Sequence, residues 1–291
     1  MTTSIKILRT VGQVRAWQKQ CFFNKETVGF VPTMGALHQG HTYLVNQSLK
    51  ENDRTIVSIF VNPSQFAPHE DLDAYPRTID HDLQALESLD RPVDALFLPK
   101  VSEMFPSGIV LDVAKQKGAF VNGVSTIVTK LLNVIQPTNA YFGQKDAQQC
   151  VVVKNLVKDL LIDTTIRVCP TLREPNGLAM SSRNAYLSQE AKDQCSIIYK
   201  GLCAGRDYYE EEIKSGKPVS AAAVADVIRE VFSSMPKEWN LEYIAVSHPE
   251  SLEDLNEIES GVGATVSTAV RVPKSDGSGT ARLIDNVQLN G

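Results

Sequence analysis

Short apolar runs alternate with helix-period segments through the first two thirds of the chain. VGFVPTM, TIVSIFV, DALFLP, AYFG and TTIRVCPTL read as strands, the first two rich in β-branched residues and each bounded by Pro, Gly or Asn. Between them HTYLVNQSLKEN and DHDLQALESL carry helical spacing. So do Val124, Ile127, Val128, Leu131, Leu132 and Ile135, which repeat at i, i+3, i+4, i+7, i+8 and i+11. Val153, Leu156, Val157, Leu160 and Leu161 form a further series. Parallel neighbours need crossover connections, so this alternation predicts an α/β fold, a Rossmann-like doubly wound parallel sheet with helices on both faces.

After about Ser188 the pattern changes. A long charged helix, QEAKDQCSIIYKGLCAGRDYYEEEIKSG, precedes a second in SAAAVADVIREVFSSM, and the strand-like runs LEYIAVS, TVSTAVRV and ARLIDNVQL follow. KSDGSG between the last two is a turn signal. This places a boundary near 187, with a Rossmann-like domain over 1–187 and a smaller C-terminal α+β domain over 188–291. No internal repeat or low-complexity segment interrupts either part.

Composition narrows the classes. Of 291 residues, 43% are hydrophobic and 22% charged, which excludes disordered and fibrous chains. A net charge of -5 with no run of basic residues argues against nucleic acid as a partner, because neutralising phosphates needs clustered Lys and Arg. No apolar stretch is long enough to span a bilayer. The opening MTTSIKILRTVGQVRAWQKQ lacks acidic residues, as transit peptides do, but reads better as a first strand or turn and a first helix. Five cysteines, Cys21, Cys150, Cys169, Cys195 and Cys203, are odd in number and never in CxxC spacing. That is the usage of reduced, buried thiols and points to the cytoplasm.

In a parallel α/β sheet ligands sit at the carboxyl ends of strands, and four polar stretches fall at such ends. In FVPTMGALHQGH, Pro32 and Gly35 end a strand, Gly40 permits close backbone approach, and His41 opens a helix with Leu44 and Val45 on the same face. A helix N-terminus with the imidazoles of His38 and His41 suits a polyphosphate, though a single histidine is more often packed or solvated. In FVNPSQF, Asn62 and Gln65 are neutral hydrogen bonders between aromatics, fit to orient a small polar ligand; a plain Asn-Pro turn is the simpler reading. In YFGQKDAQQC, Asp146 is placed as a helix N-cap, Lys145 is within reach of a phosphate or of solvent, and Gln149 continues the buried face of Val153. A buried amide needs a hydrogen-bond partner, and a ligand is one. In GLAMSSRN, two hydroxyls and a guanidinium on a connector suit closure over a phosphate.

Together these segments resemble the pantothenate synthetase (pantoate–β-alanine ligase) family, of the nucleotidyltransferase superfamily that includes class I aminoacyl-tRNA synthetases. PTMGALHQGH resembles the HxGH signature, FVNPSQF the pantoate segment, YPRT the stretch after it, GQKDAQQ the nucleotide and pantoate segment, and MSSRN the mobile phosphate loop of the synthetases. The resemblance runs in order to the closing ARLIDN.

The resemblance implies a reaction in which ATP and (R)-pantoate form pantoyl adenylate and pyrophosphate, with Mg2+ required, and β-alanine then gives pantothenate and AMP. It also implies site residues. Pro32, Thr33, Met34, Gly35, His38, Gly40 and His41 wrap ATP, with His41 as proton donor. Asn62, Gln65, Tyr75 and Gln149 hold pantoate. Gly143 and Asp146 meet the ribose, Lys145 the phosphates, Leu172 the adenine through its backbone, and Met180, Ser181, Ser182 and Arg183 the triphosphate. It implies Asp82 as the nearby carboxylate for Mg2+ and a homodimer through the N-terminal domain.

Three departures stand out. AKQKGAFVNGV, Ala114 to Val124, lacks the family's usual arginine, and Lys115 or Lys117 would lack its bidentate fork. Asn176 replaces a common aspartate, and His81 stands at a usual acidic position. Two other readings stay open: a different nucleotidyltransferase sharing His38 and His41, and a nucleotide-binding protein without turnover.

Overall fold

The computed structural model describes residues 5–66, 72–109 and 119–290, with only the backbone described at 119–121. By contacts it divides into two units: residues 1–143 with 152–169, and 144–151 with 170–291. The boundary expected near 187 falls inside the second unit.

The first unit contains β1 (Lys6–Leu8), α1 (Val11–Phe23), β2 (Val28–Thr33), α2 (Gln39–Glu51), β3 (Arg54–Ile59), α3 (Ile79–Glu87), β4 (Ala95–Phe97), α4 (Val101–Met104), α5 (Ala119–Ile135) and β5 (Asn139–Gly143). Then come α6 (Ala147–Asp159), whose first turn belongs to the second unit, and β6 (Thr165–Cys169). The sheet is parallel throughout, in the order β1-β4-β3-β2-β5-β6. Phe30, Val31, Ile56, Val57, Leu96 and Phe97 have no solvent exposure. Successive strand residues face opposite sides, so both faces of the central strands are covered, which is why they read as unbroken apolar runs. From β2 the chain winds outward through β3 and β4, and on the other side through β5 and β6. The crevice at the carboxyl ends of β2 and β5 is therefore the topological switch point, where such sheets bind ligands.

The opening segment forms β1 and α1, the latter started by Thr10 and Gln13 in a reciprocal capping box. All six residues of the α5 series are buried, as their spacing predicts. The α6 series is not buried throughout. Val153 and Leu156 are, but the helix ends at Asp159, and Leu160 and Leu161 are exposed. Leu161 takes a left-handed φ of 53°, and the amide of Ile162 bonds the carbonyl of Val157, a Schellman-type stop that the apolar spacing hides.

Polar contacts anchor the far end of α2. Asn52, its C-cap, donates to the Tyr141 hydroxyl at 2.8 Å and accepts from Asn139 at 2.8 Å, while Tyr141 donates to Glu51 at 2.9 Å. Burial pushes the Tyr141 phenol well above its ordinary value, so it stays a neutral donor. With the C-terminus pinned this way, the N-terminus of α2 is fixed at the carboxyl edge of the sheet.

The second unit contains α7 (Gln189–Gln194), α8 (Ser196–Glu212), β7 (Val219–Ser220), α9 (Ala221–Phe232), β8 (Asn240–Ser247), β9 (Glu257–Ile258), β10 (Ala264–Pro273) and β11 (Thr280–Leu289). Strands β11-β10-β8 form an antiparallel sheet and β7 pairs with β9. The expected smaller α+β domain is thus present. Leu202, Val224, Ile228, Val266, Val270 and Val272 are fully buried in its core. KSDGSG is the β10–β11 turn, closed by a 2.9 Å bond from the Lys274 amide to the Gly279 carbonyl. The long charged helix is two helices meeting at Cys195. α7 buries none of its residues whereas α8 buries a stripe from Ile198 to Tyr209, so the core holds only α8 on its axis.

Candidate functional site

The loop from β2 to α2 departs from ordinary backbone geometry. Gly35 has φ 86° and Ala36 φ 50°, two left-handed residues in succession. An alanine there costs about 1–2 kcal/mol, so the surroundings must impose the conformation. They do so through Asp82, on α3 and 1% exposed. Its Oδ2 accepts the Ala36 amide at 3.0 Å, and its Oδ1 accepts the Leu37 amide at 2.7 Å and the Thr78 hydroxyl at 3.2 Å. Thr33 closes the other side, accepting the Gly35 amide at 3.2 Å and donating to the Ser58 carbonyl at 2.8 Å. A Cβ on Gly35 would lie 3.0 Å from Asp82 Oδ2, leaving little room for any other residue.

This loop delivers the histidines as a helix cap. His38, not His41, opens α2: its Nδ1 accepts the Gly40 amide at 3.1 Å, and the Nδ1 of His41 accepts the His38 amide at 3.3 Å. The arrangement is a capping box built from two imidazoles instead of a hydroxyl and a carboxylate. The ring centroids are 4.1 Å apart. Because each Nδ1 accepts, each neutral ring carries its proton on Nε2. The half-buried residues Pro32, Met34, His38, Gly40 and His41 therefore surround a helix N-terminus whose dipole and ring donors both favour an anion.

At the end of the neighbouring β3, Asn62 caps a single 3-10 turn, Pro63–Gln65. Asn62 is 1% exposed and fully engaged. Its Oδ1 accepts the amide and hydroxyl of Ser64 at 3.3 and 2.9 Å, and its Nδ2 donates to Gln65 Oε1 at 3.2 Å and to the Gly123 carbonyl at 3.1 Å. With two donors and two acceptor positions used, it orients Gln65 and has no bond left to offer a ligand. Gly123 on α5 is where the turn and helix meet: a Cβ would fall 2.3 Å from the Ser64 carbonyl oxygen and 2.5 Å from Gln65 Cα. Tyr75 is buried, edge-on to Phe66 at 5.8 Å. Gly143 ends β5, with open space where its side chain would be. The departing segment with Lys115 and Lys117 lies outside the described residues.

The remaining expected site residues belong to the second unit. Lys145 and Asp146 lie in a 3-10 turn immediately before α6, and Gln149 is half-buried in its first turn. Leu172 accepts the Met180 amide at 3.0 Å and Arg173 pairs with Ala179, closing a tight loop over Leu172–Met180. Asn176 donates to the Lys192 carbonyl at 2.9 Å, a bond an aspartate in its place is unable to make. Met180 leads into Ser181, whose hydroxyl accepts the Arg183 amide at 3.3 Å and caps the 3-10 turn Ser182–Tyr186. Lys145 and Ser181 line one pocket with Asn184 and Asp285.

The sequence reading missed what holds these side chains. Asp82, expected near Mg2+, braces the loop after β2, and Asn62, expected at the substrate, orients Gln65; the left-handed Ala36 has no signal in MGAL. Among the described residues no cluster of three or more His, Cys, Asp or Glu is arranged to hold a metal ion. No helix among them is long and apolar enough to cross a membrane, and all five cysteines are free thiols.

Residues 6–288 match the family model described as pantoate-beta-alanine ligase. The pantoate–β-alanine ligase of Saccharomyces cerevisiae is 40% identical, covering 98% of this chain and 100% of the relative. The pantothenate synthetase of Chloroflexus aggregans is 43% identical over 97% and 99%. A crystal structure of pantothenate synthetase from Thermus thermophilus superposes with a TM-score of 0.84, at 37% identity over 99% of this chain and 100% of that one. A second, of pantoate-β-alanine ligase from Francisella tularensis complexed with beta-gamma ATP and β-alanine, has a TM-score of 0.73 at 33% identity, over 98% and 97%.

Proposed function

The chain belongs to the pantoate–β-alanine ligase family, and from that membership we propose that it condenses (R)-pantoate with β-alanine in two steps, using ATP. In the first, a pantoate carboxylate oxygen attacks the α-phosphorus, the bond to the bridging oxygen breaks, and pyrophosphate leaves. In the second, the β-alanine amine attacks the acyl carbon of the adenylate, AMP departs, and the nitrogen gives up a proton as the amide forms. Pantoate is its own nucleophile in the first step, so the protein's work is positioning and charge neutralisation.

The observation that carries this reading is the paired-imidazole cap. Two Nε2–H donors at a helix N-terminus meet the charge that grows on the α-phosphoryl group and the departing pyrophosphate, and His41 serves there as a hydrogen-bond donor. Pro32, Thr33, Met34, Gly35 and Gly40 supply the backbone cradle. Gln65 and Gln149 take pantoate oxygens, with Tyr75 as an apolar wall and Asn62 holding Gln65 in orientation. Gly143 and Asp146 receive the ribose, Leu172 the adenine, Lys145 the phosphates, and Met180 to Arg183 close over the triphosphate.

Asp82 is 1% exposed and accepts three hydrogen bonds from the loop and from Thr78, so it would reach Mg2+ at most through the one acceptor position left on Oδ2. Mg2+ would be held chiefly by the ATP phosphates and water, and would supply charge neutralisation there; no step here runs through it. A homodimer and a cytoplasmic location complete the proposal; light scattering of the purified chain tests the former.

The test is pyrophosphate and AMP release from ATP and magnesium, first with pantoate alone and then with β-alanine. Pyrophosphate release that depends on pantoate, with sustained AMP release needing both substrates, is expected. ATP binding without either product overturns the reading in favour of a protein that binds nucleotide without turnover.

A further inference from the structure

We propose that Asp285 and Asn286, in the closing ARLIDN segment of β11, are positioning residues that set the ATP-handling loops of the second unit. The proposal rests on the assignment of Lys145 to the ATP phosphates. Both side chains are 4% exposed. Successive strand residues face opposite sides, so this dipeptide addresses two different segments at once.

Asn286 holds the loop after β5. Its Nδ2 donates to the carbonyls of Gln144 and Lys145, each at 2.9 Å, and its Oδ1 accepts from Gln144 Nε2 at 3.3 Å. Gln288 donates to the same oxygen at 3.3 Å and is itself held by the Thr265 hydroxyl at 2.8 Å. The two backbone carbonyls flanking the Lys145 Cα are thus fixed by one amide, which sets the origin and direction of the lysine side chain while leaving its ammonium for other work.

Asp285 holds the other segment. Its carboxylate takes the Arg173 guanidinium through two bonds, at 2.6 and 3.0 Å, and also accepts the Asn286 amide at 2.8 Å. Arg173 donates in turn to the Gly177 carbonyl at 3.1 Å and lies 3.6 Å over the Tyr199 ring. It thereby locks the loop from Leu172 to Met180, whose end leads into Ser181–Arg183. A bidentate, stacked arginine is a rigid strut that a lysine does not reproduce. Every side-chain polar atom of the pair meets a backbone or side-chain group of these two loops.

The experiment compares Asn286→Asp, Lys145→Met and the double variant in the full-length enzyme, measuring pantoate-dependent pyrophosphate release, the KM for each substrate and the thermal midpoint. Asn286→Asp keeps the shape and removes both donated bonds. Asn286→Ala removes them without a charge and replaces it if the aspartate variant does not fold. The KM for ATP is expected to rise about tenfold or more with the β-alanine KM within about twofold, and the double variant to be no slower than Lys145→Met alone, since residues acting as a unit are non-additive. An impaired Lys145→Met enzyme beside unimpaired Asn286 variants, or losses that multiply in the double variant, overturn the proposal alone. A fully active Lys145→Met enzyme overturns the phosphate assignment and this proposal with it.

Discussion

The Nδ1 of His41 accepts the backbone amide of His38 at 3.3 Å, so the proposed catalytic imidazole is also one half of a helix cap. The two roles separate by mutation. Glutamate is a usual residue at this capping position and only accepts hydrogen bonds, so His41→Glu keeps the cap and removes the Nε2 donor. It should retain the thermal midpoint and lose about 10²–10⁴-fold in pyrophosphate release. His41→Ala should lose the same rate and also about 1 kcal/mol of stability. Near-normal pyrophosphate release in either variant would remove His41 from the chemistry.

Asp82 joins α3 to the strained turn at Gly35 and Ala36. In Asp82→Asn one oxygen becomes an NH2 group that must face a backbone amide, leaving a buried donor unpaired. Urea unfolding should show a loss of about 1–3 kcal/mol. The KM for ATP should rise, because the loop that carries the histidines is no longer held. An unaltered KM for ATP would show that the loop keeps its shape without the carboxylate.

Gly123 allows α5 to touch the turn that carries Gln65. In Gly123→Ala the new methyl meets the backbone of Ser64 and Gln65, which has no flexible end to move aside. Such overpacking costs about 1–3 kcal/mol, and the displaced turn should raise the KM for pantoate more than that for ATP. Equal changes in both constants would argue that the contact is structural only.

Gln149 sits half-buried in the first turn of α6. Gln149→Ala should raise the KM for pantoate far more than that for ATP, and the reverse pattern would sink its assignment.

Cys195 is fully buried, and burial pushes its thiol from an ordinary 9.0 up to about 12. Below pH 9 the thiol is protonated in both folded and unfolded chains and stability has no slope from this group. Between pH 9 and 12 the unfolded chain has released the proton and the folded one has not, so stability falls with rising pH, by at most about 1.4 kcal/mol per pH unit. Cys21, raised to about 11 by burial, adds to the fall over part of the same range. Denaturation of Cys195→Ala against pH should show a shallower decline above pH 9, and an unchanged slope would contradict the assignment.

The parallel sheet, the buried stripe of α5 and the smaller antiparallel domain were all legible in the order of residues, because period-2 and period-3.6 burial leave their mark directly on the chain. The same periodicity overran two helix ends. It carried α6 through Leu160 and Leu161, and α7 through Cys195, where termination depends on one left-handed residue and on which segment the core holds. His38, His41, Gln65, Lys145, Gln149 and the Ser181–Arg183 triplet stood out because four polar stretches, each with a bland reading alone, fall together where a parallel sheet binds ligands.

What the sequence by itself determined is therefore the architecture, the family and a set of candidate side chains for the site. Only the tertiary structure decided their supports. Asp82 braces the loop after β2, Asn62 is spent on Gln65 and Gly123, and Asp285 and Asn286 hold segments more than a hundred positions away in the chain. Hydrogen bonds between residues so distant leave no periodic trace, since any partner at any separation satisfies a buried donor, and the fold alone selects which one does.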